Sequence, residues 1–357
     1  MRQLQFITCQ PNDSYFVWQL DVQLHNFRKY GYSQFSRVLV FKHNRRKNNE
    51  DFAEQWKALE EKYPEVKFFY YEDPSGMLHH YMQLYEYIPL LRPWLLAKHF
   101  KEYPELKDDA IFYLDSDVVF TKKLDFTPLL EDDVCYLSDT RSYIGAAYFD
   151  SKDKDVIPEK LERYKEENPL KAAATRVGVR EDVIRENQEG SGGAQYLLKN
   201  IDHEFWEQVF VNCIEIRVYL RSVNRRYFEN EDKGIQSWCA DMWAVLWTLW
   251  KRGTETKCPP ELDFAWATDD ISKWDRVYLY HDAGASTRPV REGHQLFHKR
   301  EARYINNEAT PLQEDLSFVS PEYCSKNYVR EIQEAAKYVV PFQMIDLDTN
   351  TQQTITI

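Results

Sequence analysis

The sequence predicts an α/β fold, and three observations carry that reading. Short apolar runs alternate with amphipathic stretches through residues 1–120. The runs are bounded by turn-forming or charged residues, as buried strands are. The fourth, Ala110–Leu114, ends on Asp115-Ser116-Asp117, an acidic pair at a strand's carboxyl end, where open α/β sheets carry their functional loops.

Leu4–Cys9 is the first buried strand, with Cys9 as a buried thiol. Ser14 is the expected N-cap of a helix through Trp18, Leu20, Leu24 and Phe27, stopped by Gly31. Arg37–Phe41 is a second strand, Glu50–Tyr63 a polar-faced helix, and Val66–Tyr71 a third strand ending in Glu72-Asp73-Pro74. Leu90–Phe100 is a helix with Arg92 near its start. This order predicts a parallel sheet with helices on both faces, its strand ends bringing Thr8, Glu72, Asp73, Asp115 and Asp117 to one crevice. The second half is less regular. Helices are expected over Pro158–Glu167, Asp202–Cys213, Gln236–Lys251 (closed by Gly253) and Asn327–Val339, with a short strand over Arg276–Tyr280. Residues 345–357 are polar and expected to fray. No internal repeat or low-complexity linker divides the chain, so the expectation is one domain over residues 1–340 and a tail over 341–357. Within that domain, 1–120 forms a nucleotide-binding half and 121–340 a sugar and acceptor half.

Composition narrows the function classes. The 357 residues are 43% hydrophobic and 15% aromatic, enough for a sizeable core. A net charge of −12 argues against broad attraction to nucleic acid or an anionic membrane. Locally basic stretches at Lys42–Lys47, Arg217–Arg226 and Arg288–Arg303 read as solvated faces. The six cysteines form no Cys-x-x-Cys pair, which argues against structural zinc. The amino-terminal run is a strand rather than a signal peptide, and no apolar stretch is long enough to span a bilayer. A cytoplasmic location is the expectation, and a phage-encoded protein in a host cytoplasm would fit it.

Four constellations could carry chemistry. Asp115 and Asp117 offer hard oxygens to Mn²⁺ or Mg²⁺, and such a cation can hold the diphosphate of a nucleotide. In Tyr278-Leu-Tyr-His281-Asp-Ala-Gly284-Ala-Ser-Thr-Arg288, a short strand delivers His281 as a third ligand, and Arg288 is placed to neutralise phosphate charge. In Glu189-Gly190-Ser-Gly192-Gly193-Ala-Gln195-Tyr-Leu-Leu, small residues precede what reads as an apolar helix. There the backbone at Gly192 and Gly193 could approach a sugar or phosphate closely. In Trp238-Cys-Ala-Asp241-Met-Trp243, an acid lies inside an aromatic helix and needs a partner or a ligand.

Taken together these features resemble the GT-A glycosyltransferases. Arg92 followed by Tyr113-Leu-Asp115-Ser-Asp117, and His281-x-x-Gly284 followed by Arg288-Pro289, are similar to the retaining, glycogenin-like family. A more diffuse resemblance is to the plant peptidyl hydroxyproline arabinosyltransferases and peptidyl serine galactosyltransferases. It rests on Tyr15-Phe-Val-Trp18-Gln19, Arg92-Pro93-Trp94, Gly192-Gly193-Ala-Gln-Tyr-Leu-Leu, Asp241-Met242-Trp243 and Lys299-Arg300-Glu-Ala-Arg303-Tyr304, in that order along the chain. The plant enzymes are secretory and anchored, and their acidic motif is not a strict Asp-x-Asp, so the scaffold is shared more fully than the acceptor.

The resemblance implies a Rossmann-like mixed sheet flanked by helices, with an elaborated helical second half. It implies a metal-dependent glycosyltransferase using a nucleoside diphosphate sugar, UDP-linked, with retention of anomeric configuration. Asp115, Asp117 and His281 are then the metal ligands. Thr8 and Asp73 lie near the nucleoside, while Arg92, Ser116, Gly192, Gly193 and Arg288 contact the donor. Asp241 and Gln195 position donor sugar and acceptor. The acceptor is a hydroxyl on a peptide or glycan, or a hydroxymethylated pyrimidine in DNA. Two rival classes stay open at this stage. A nucleotidyltransferase or metal-dependent phosphohydrolase also uses paired aspartates, though a two-metal hydrolase needs more clustered carboxylates. A non-enzymatic binding module would tolerate loss of both.

Overall fold

The computed structural model describes residues 2–42, 53–72, 84, 87–284 and 292–338. Ten strands form among them: β1 (Leu4–Pro11), β2 (Ser36–Phe41), β3 (Lys67–Tyr71), β4 (Ala110–Tyr113), β5 (Val118–Phe120), β6 (Cys135–Asp139), β7 (Gly192–Lys199), β8 (Thr256–Lys257), β9 (Phe264–Trp266) and β10 (Leu279–His281). The six longest helices are α1 (Ser14–Tyr30), α2 (Ala53–Lys62), α3 (Ile88–Glu102), α4 (His203–Tyr227), α5 (Ala240–Lys251) and α6 (Cys324–Ala336). The class is α/β, as expected. The chain forms two compact units, one of residues 1–9, 71–114 and 125–263, the other of 10–70, 115–124 and 264–357.

In the first unit, β1 pairs with β4 in parallel, Leu4 opposite Ala110 and Ile7 opposite Tyr113. β7 then runs antiparallel to both β4 and β6, and β8 lies parallel to β6. The sheet is therefore mixed. The stretch after Gly192 is strand β7, not the helix that its apolar residues suggested. Tyr196, Leu197 and Leu198 are all buried, and a short apolar run buried on both faces has no periodicity to separate strand from helix. Ala194 at φ 67° and the register shift between Leu137 and Ser138 mark a bulge that the Gly-Gly pair accommodates. α4 packs on α3 and α5. Asp202 caps α4 by accepting from the Phe205 N–H at 2.7 Å, and the helix runs far past the expected Cys213. Trp206, Trp243 and Trp247 are fully buried among these helices.

In the second unit, β10 lies between β5, antiparallel, and β9, parallel. The β10 strand starts at Leu279, later than the expected Arg276, which is the last residue of a short helix, Ser272–Arg276. α1 is capped by Asp13, whose side chain accepts from the Tyr15 N–H at 2.9 Å, so Ser14 is the first helical residue rather than the cap. Gly31 ends the helix at φ 80°, a conformation that favours glycine. Trp18 and Val22 of α1 join Tyr280, Phe297, Tyr328 and Ile332 in one buried cluster. Leu20 and Leu24, on the helix's other side, pack with Val38, Val40, Trp56 and Tyr63 in a second. All six cysteines are free thiols. Among the described residues no helix is long and apolar enough to cross a membrane.

Candidate metal centre

The centre lies wholly within the second unit. β4 stops at Tyr113, and residues 115–118 turn, with the Val118 N–H donating to the Asp115 carbonyl at 3.3 Å, before β5 begins. α1 splints this turn from below. Gln23 Nε2 donates to the carbonyls of Asp115 (2.7 Å) and Val118 (2.9 Å). Asn26 closes a two-way bond with the Phe120 backbone at 2.8 and 2.9 Å. Buried amides that bond backbone on both sides fix the loop's path without a regular ladder.

β10 brings the third group. His281 stands opposite Val118 of β5 and Trp266 of β9, and its ring stacks on the Trp266 indole at 5.7 Å. The Asp282 N–H donates to the Asp117 carbonyl at 3.1 Å, tying the two loops together. His281 Nε2 thereby sits 3.4 Å from Asp117 Oδ1 and 3.8 Å from Asp115 Oδ2. One donor atom from each of Asp115, Asp117 and His281 falls within 4.8 Å of the others.

Burial differs within the trio. The Asp115 side chain is 26% exposed, while Asp117 and His281 are buried. Asp117 Oδ1 is buried with no hydrogen-bond partner, and Oδ2 is in contact with the buried Lys299 ammonium. Burial opposes the Asp117 charge, yet Lys299 and His281 hold its carboxyl well below the usual range. Burial likewise opposes the Lys299 charge, and Asp117 beside it holds the ammonium above its ordinary value.

These residues fit a divalent cation. The two carboxylates offer hard oxygens that suit Mn²⁺ or Mg²⁺, and the imidazole favours the softer Mn²⁺ of the two. An orphaned buried carboxylate oxygen facing an imidazole is the kind of atom a cation satisfies.

The structure brings together three of the expected groups, Asp115, Asp117 and His281, with Ser116 buried between the aspartates. Asp73 and Arg288 lie outside the described residues. The remaining candidates belong to the first unit. Thr8 is buried on β1, and Arg92 is partly buried on α3. Gln195 is buried on β7 and accepts from the Ser138 hydroxyl at 2.7 Å. Asp241 lies in the first turn of α5 and accepts from the Tyr87 hydroxyl at 3.1 Å. A Cβ on Gly193 would meet Met242 Cε at 2.5 Å, which puts the start of β7 against the start of α5.

Sequence reasoning missed Lys299, Asp282 and Gln23. Lys299 was read as part of a basic, solvated run, although it is only 5% exposed. Asp282 is fully buried, with both carboxylate oxygens unpartnered. Burial, with Asp117 adding to it, raises its carboxyl to about 6. The available signal was strand alternation, since Tyr280 and Asp282 share a face that His281 does not.

No family model matches the chain, and no curated protein matches it. Among solved structures it is similar to galactosyltransferase LgtC in complex with donor and acceptor sugar analogues, at 12% identity over 94% of this chain and 97% of that one, TM-score 0.43. It is similar to mouse xyloside xylosyltransferase 1, apo form, at 12% identity over 81% of this chain and all of that one, TM-score 0.35. A third is mannosyltransferase PcManGT from Pyrobaculum calidifontis in complex with GDP-Man and Mn²⁺, at 11% identity over 70% and 72%, TM-score 0.28. Likenesses this distant carry no weight for function, which rests on the residues of the centre.

Proposed function

We propose that this chain is a metal-dependent glycosyltransferase of the GT-A type. It moves a sugar from a nucleoside diphosphate, UDP-linked, to a hydroxyl acceptor. The observation that carries this reading is the convergence of Asp115, Asp117 and His281 from two distant stretches of the chain. Hard ligands at a strand's carboxyl end suit a cation that keeps positions for water and phosphate oxygens. When bound, Mn²⁺ or Mg²⁺ supplies charge stabilisation to the departing diphosphate.

The chain's own residues supply the rest of the proposal. Asp115, the most exposed ligand, faces the solvent side from which a donor arrives. Ser116 leaves room at the turn, and Lys299 adds fixed positive charge behind Asp117. In this reading Thr8 and Asp73 lie near the nucleoside, and Arg92, Arg288, Gly192 and Gly193 contact the donor. Asp241 and Gln195 position sugar and acceptor, and the hydrogen bonds from Tyr87 and Ser138 orient them. Residues 1–340 act as one catalytic domain, 1–120 for the nucleotide and 121–340 for sugar and acceptor, with 341–357 as a tail. By the resemblance in sequence, transfer retains anomeric configuration. The net charge of −12 favours a peptide or glycan hydroxyl over a pyrimidine of DNA as acceptor.

The test is UDP release from a panel of UDP-sugars, with and without Mn²⁺. Mn²⁺-dependent release from one donor, lost in the Asp115→Asn, Asp117→Asn protein, supports the proposal. Undiminished release in that protein, or in EDTA, overturns it.

A further inference from the structure

The metal centre is backed by a second buried carboxylate. Asp282 is fully buried and neither of its oxygens has a hydrogen-bond partner. The hydroxyls of Tyr280 and Tyr328, which feel its charge, are also buried and unpartnered. Leaving a carboxylate so is costly, and such a group calls for an explanation. The charges acting on it are Lys299, Asp117, His281 and Arg300. Lys299 is in contact with Asp117 and is also within electrostatic range of Asp282 and Tyr15. One buried ammonium is therefore shared between two buried carboxylates, only one of which it touches.

That arrangement has a consequence for metal binding. A divalent cation on Asp117 and an ammonium on the same carboxylate repel one another at short range in a poorly screened interior. Displacing the ammonium from Asp117 with no second anion to receive it would leave it buried and unpaired, which is worse. A second anion on the same flexible lysine's path removes the conflict, because a lysine side chain has a long stem and freely rotating donors. Asp282 has the burial, the charge and the unused acceptors for that role.

We propose that Lys299 is a mobile counter-ion whose ammonium passes from Asp117 to Asp282 as a divalent cation takes Asp117. The handover rests on the metal reading above. It makes Asp282 a positioning residue: it touches neither donor nor metal and acts by receiving Lys299. No bond is made or broken and no proton need move.

The test is a double-mutant cycle read by Mn²⁺ affinity, from calorimetry or from the paramagnetic signal of free Mn²⁺, with thermal midpoints in EDTA beside it. Asp282→Asn in the wild-type background should weaken Mn²⁺ binding about tenfold, within the usual range for coupled sites. Its midpoint in EDTA should be unchanged or higher, since a buried unpaired carboxylate is gone. In the Lys299→Met background the same substitution should change Mn²⁺ affinity by less than about twofold, because there is no ammonium to receive. Lys299→Gln, whose amide can still donate to Asp117, replaces Lys299→Met if that protein does not fold. An equal weakening in both backgrounds means that Asp282 acts only through its charge, and overturns the handover. So does an Asp282→Asn protein that binds Mn²⁺ as the wild type does. Wild-type protein that binds no Mn²⁺ at all overturns the metal reading itself, and is distinguished from the other failures by the first titration.

Discussion

Two lysine–aspartate pairs with a buried lysine, one taken from each compact unit, share a chemistry and differ in what surrounds them. In the first unit, Lys199 Nζ donates to Asp132 Oδ1 at 2.7 Å and to the Asp132 carbonyl at 3.0 Å. Asp132 also accepts from the Tyr136 hydroxyl at 2.7 Å and the Val134 N–H at 3.1 Å, and its side chain is 43% exposed. Every strong group there is satisfied or wet. In the second unit, Lys299 touches Asp117, but Asp117 Oδ1 and both oxygens of Asp282 are buried without a hydrogen-bond partner. A satisfied pair stabilises one arrangement, whereas an under-satisfied one is poised to take a ligand. Burial of the lysine does not separate the two pairs, and their unmet carboxylate oxygens do.

The largest expected effect separates the two aspartates. Asp117→Asn should lower Mn²⁺-dependent UDP release by at least about 10²-fold, the scale of losing a preorganised electrostatic group. Asp132→Asn should leave it within about twofold, since Asp132 belongs to no ligand cluster. Steady-state assays of both variants check this, and comparable losses would erase the contrast.

Next come the lysines, compared by denaturant unfolding in EDTA. Lys299→Met strands a buried carboxylate and should cost about 3 kcal/mol. Lys199→Met leaves Asp132 able to hydrate and should cost about 1 kcal/mol. Mn²⁺ should restore part of the first loss and none of the second. Equal costs with no Mn²⁺ effect would count against the centre.

Gly192→Ala tests the strand assignment of β7. A Cβ there would lie 2.5 Å from Leu137 Cβ and 2.6 Å from the Ser138 carbonyl oxygen. Overpacking of this kind should cost about 2 kcal/mol, while a glycine ahead of an isolated helix would tolerate it. Thermal midpoints of the variant decide.

The smallest effect is a pH dependence away from the centre. Arg28 holds Glu65 bidentately at 2.8 Å and lowers its carboxyl to about 2. A depressed carboxyl adds stability that is present above its unfolded value, about 4.3, and lost as pH falls through about 2. Glu65→Gln should flatten the stability profile in that window and lower stability by a constant amount above it. An identical acid limb in both proteins would show that the pair contributes nothing.

Much of the site was legible in the sequence because its parts obey local rules. The α/β alternation was visible in residues 1–120, and Asp115 and Asp117 follow an apolar run that fits the fourth strand of that alternation. His281 follows another. What was not legible depends on tertiary placement. Gly192–Lys199 reads equally as helix or strand until it is seen paired between β4 and β6 with both faces buried. Lys299 sits in a basic stretch next to the exposed Arg300, and nothing local marks it as the residue that turns inward. Asp282 is masked by its neighbour His281, which draws attention to the opposite face of the strand. Gln23 and Asn26 look like ordinary polar positions on α1 until the turn at Asp115 is seen to hang from them.

The most direct test of the central claim is UDP affinity measured by calorimetry in Mn²⁺ and in EDTA, for the wild type and for the Asp115→Asn, Asp117→Asn protein. The account predicts that Mn²⁺ tightens UDP binding to the wild type by at least about tenfold, or ~1.4 kcal/mol, and does nothing for the variant. UDP affinity that is the same in Mn²⁺ and EDTA, or a Mn²⁺ effect that survives in the variant, would contradict it.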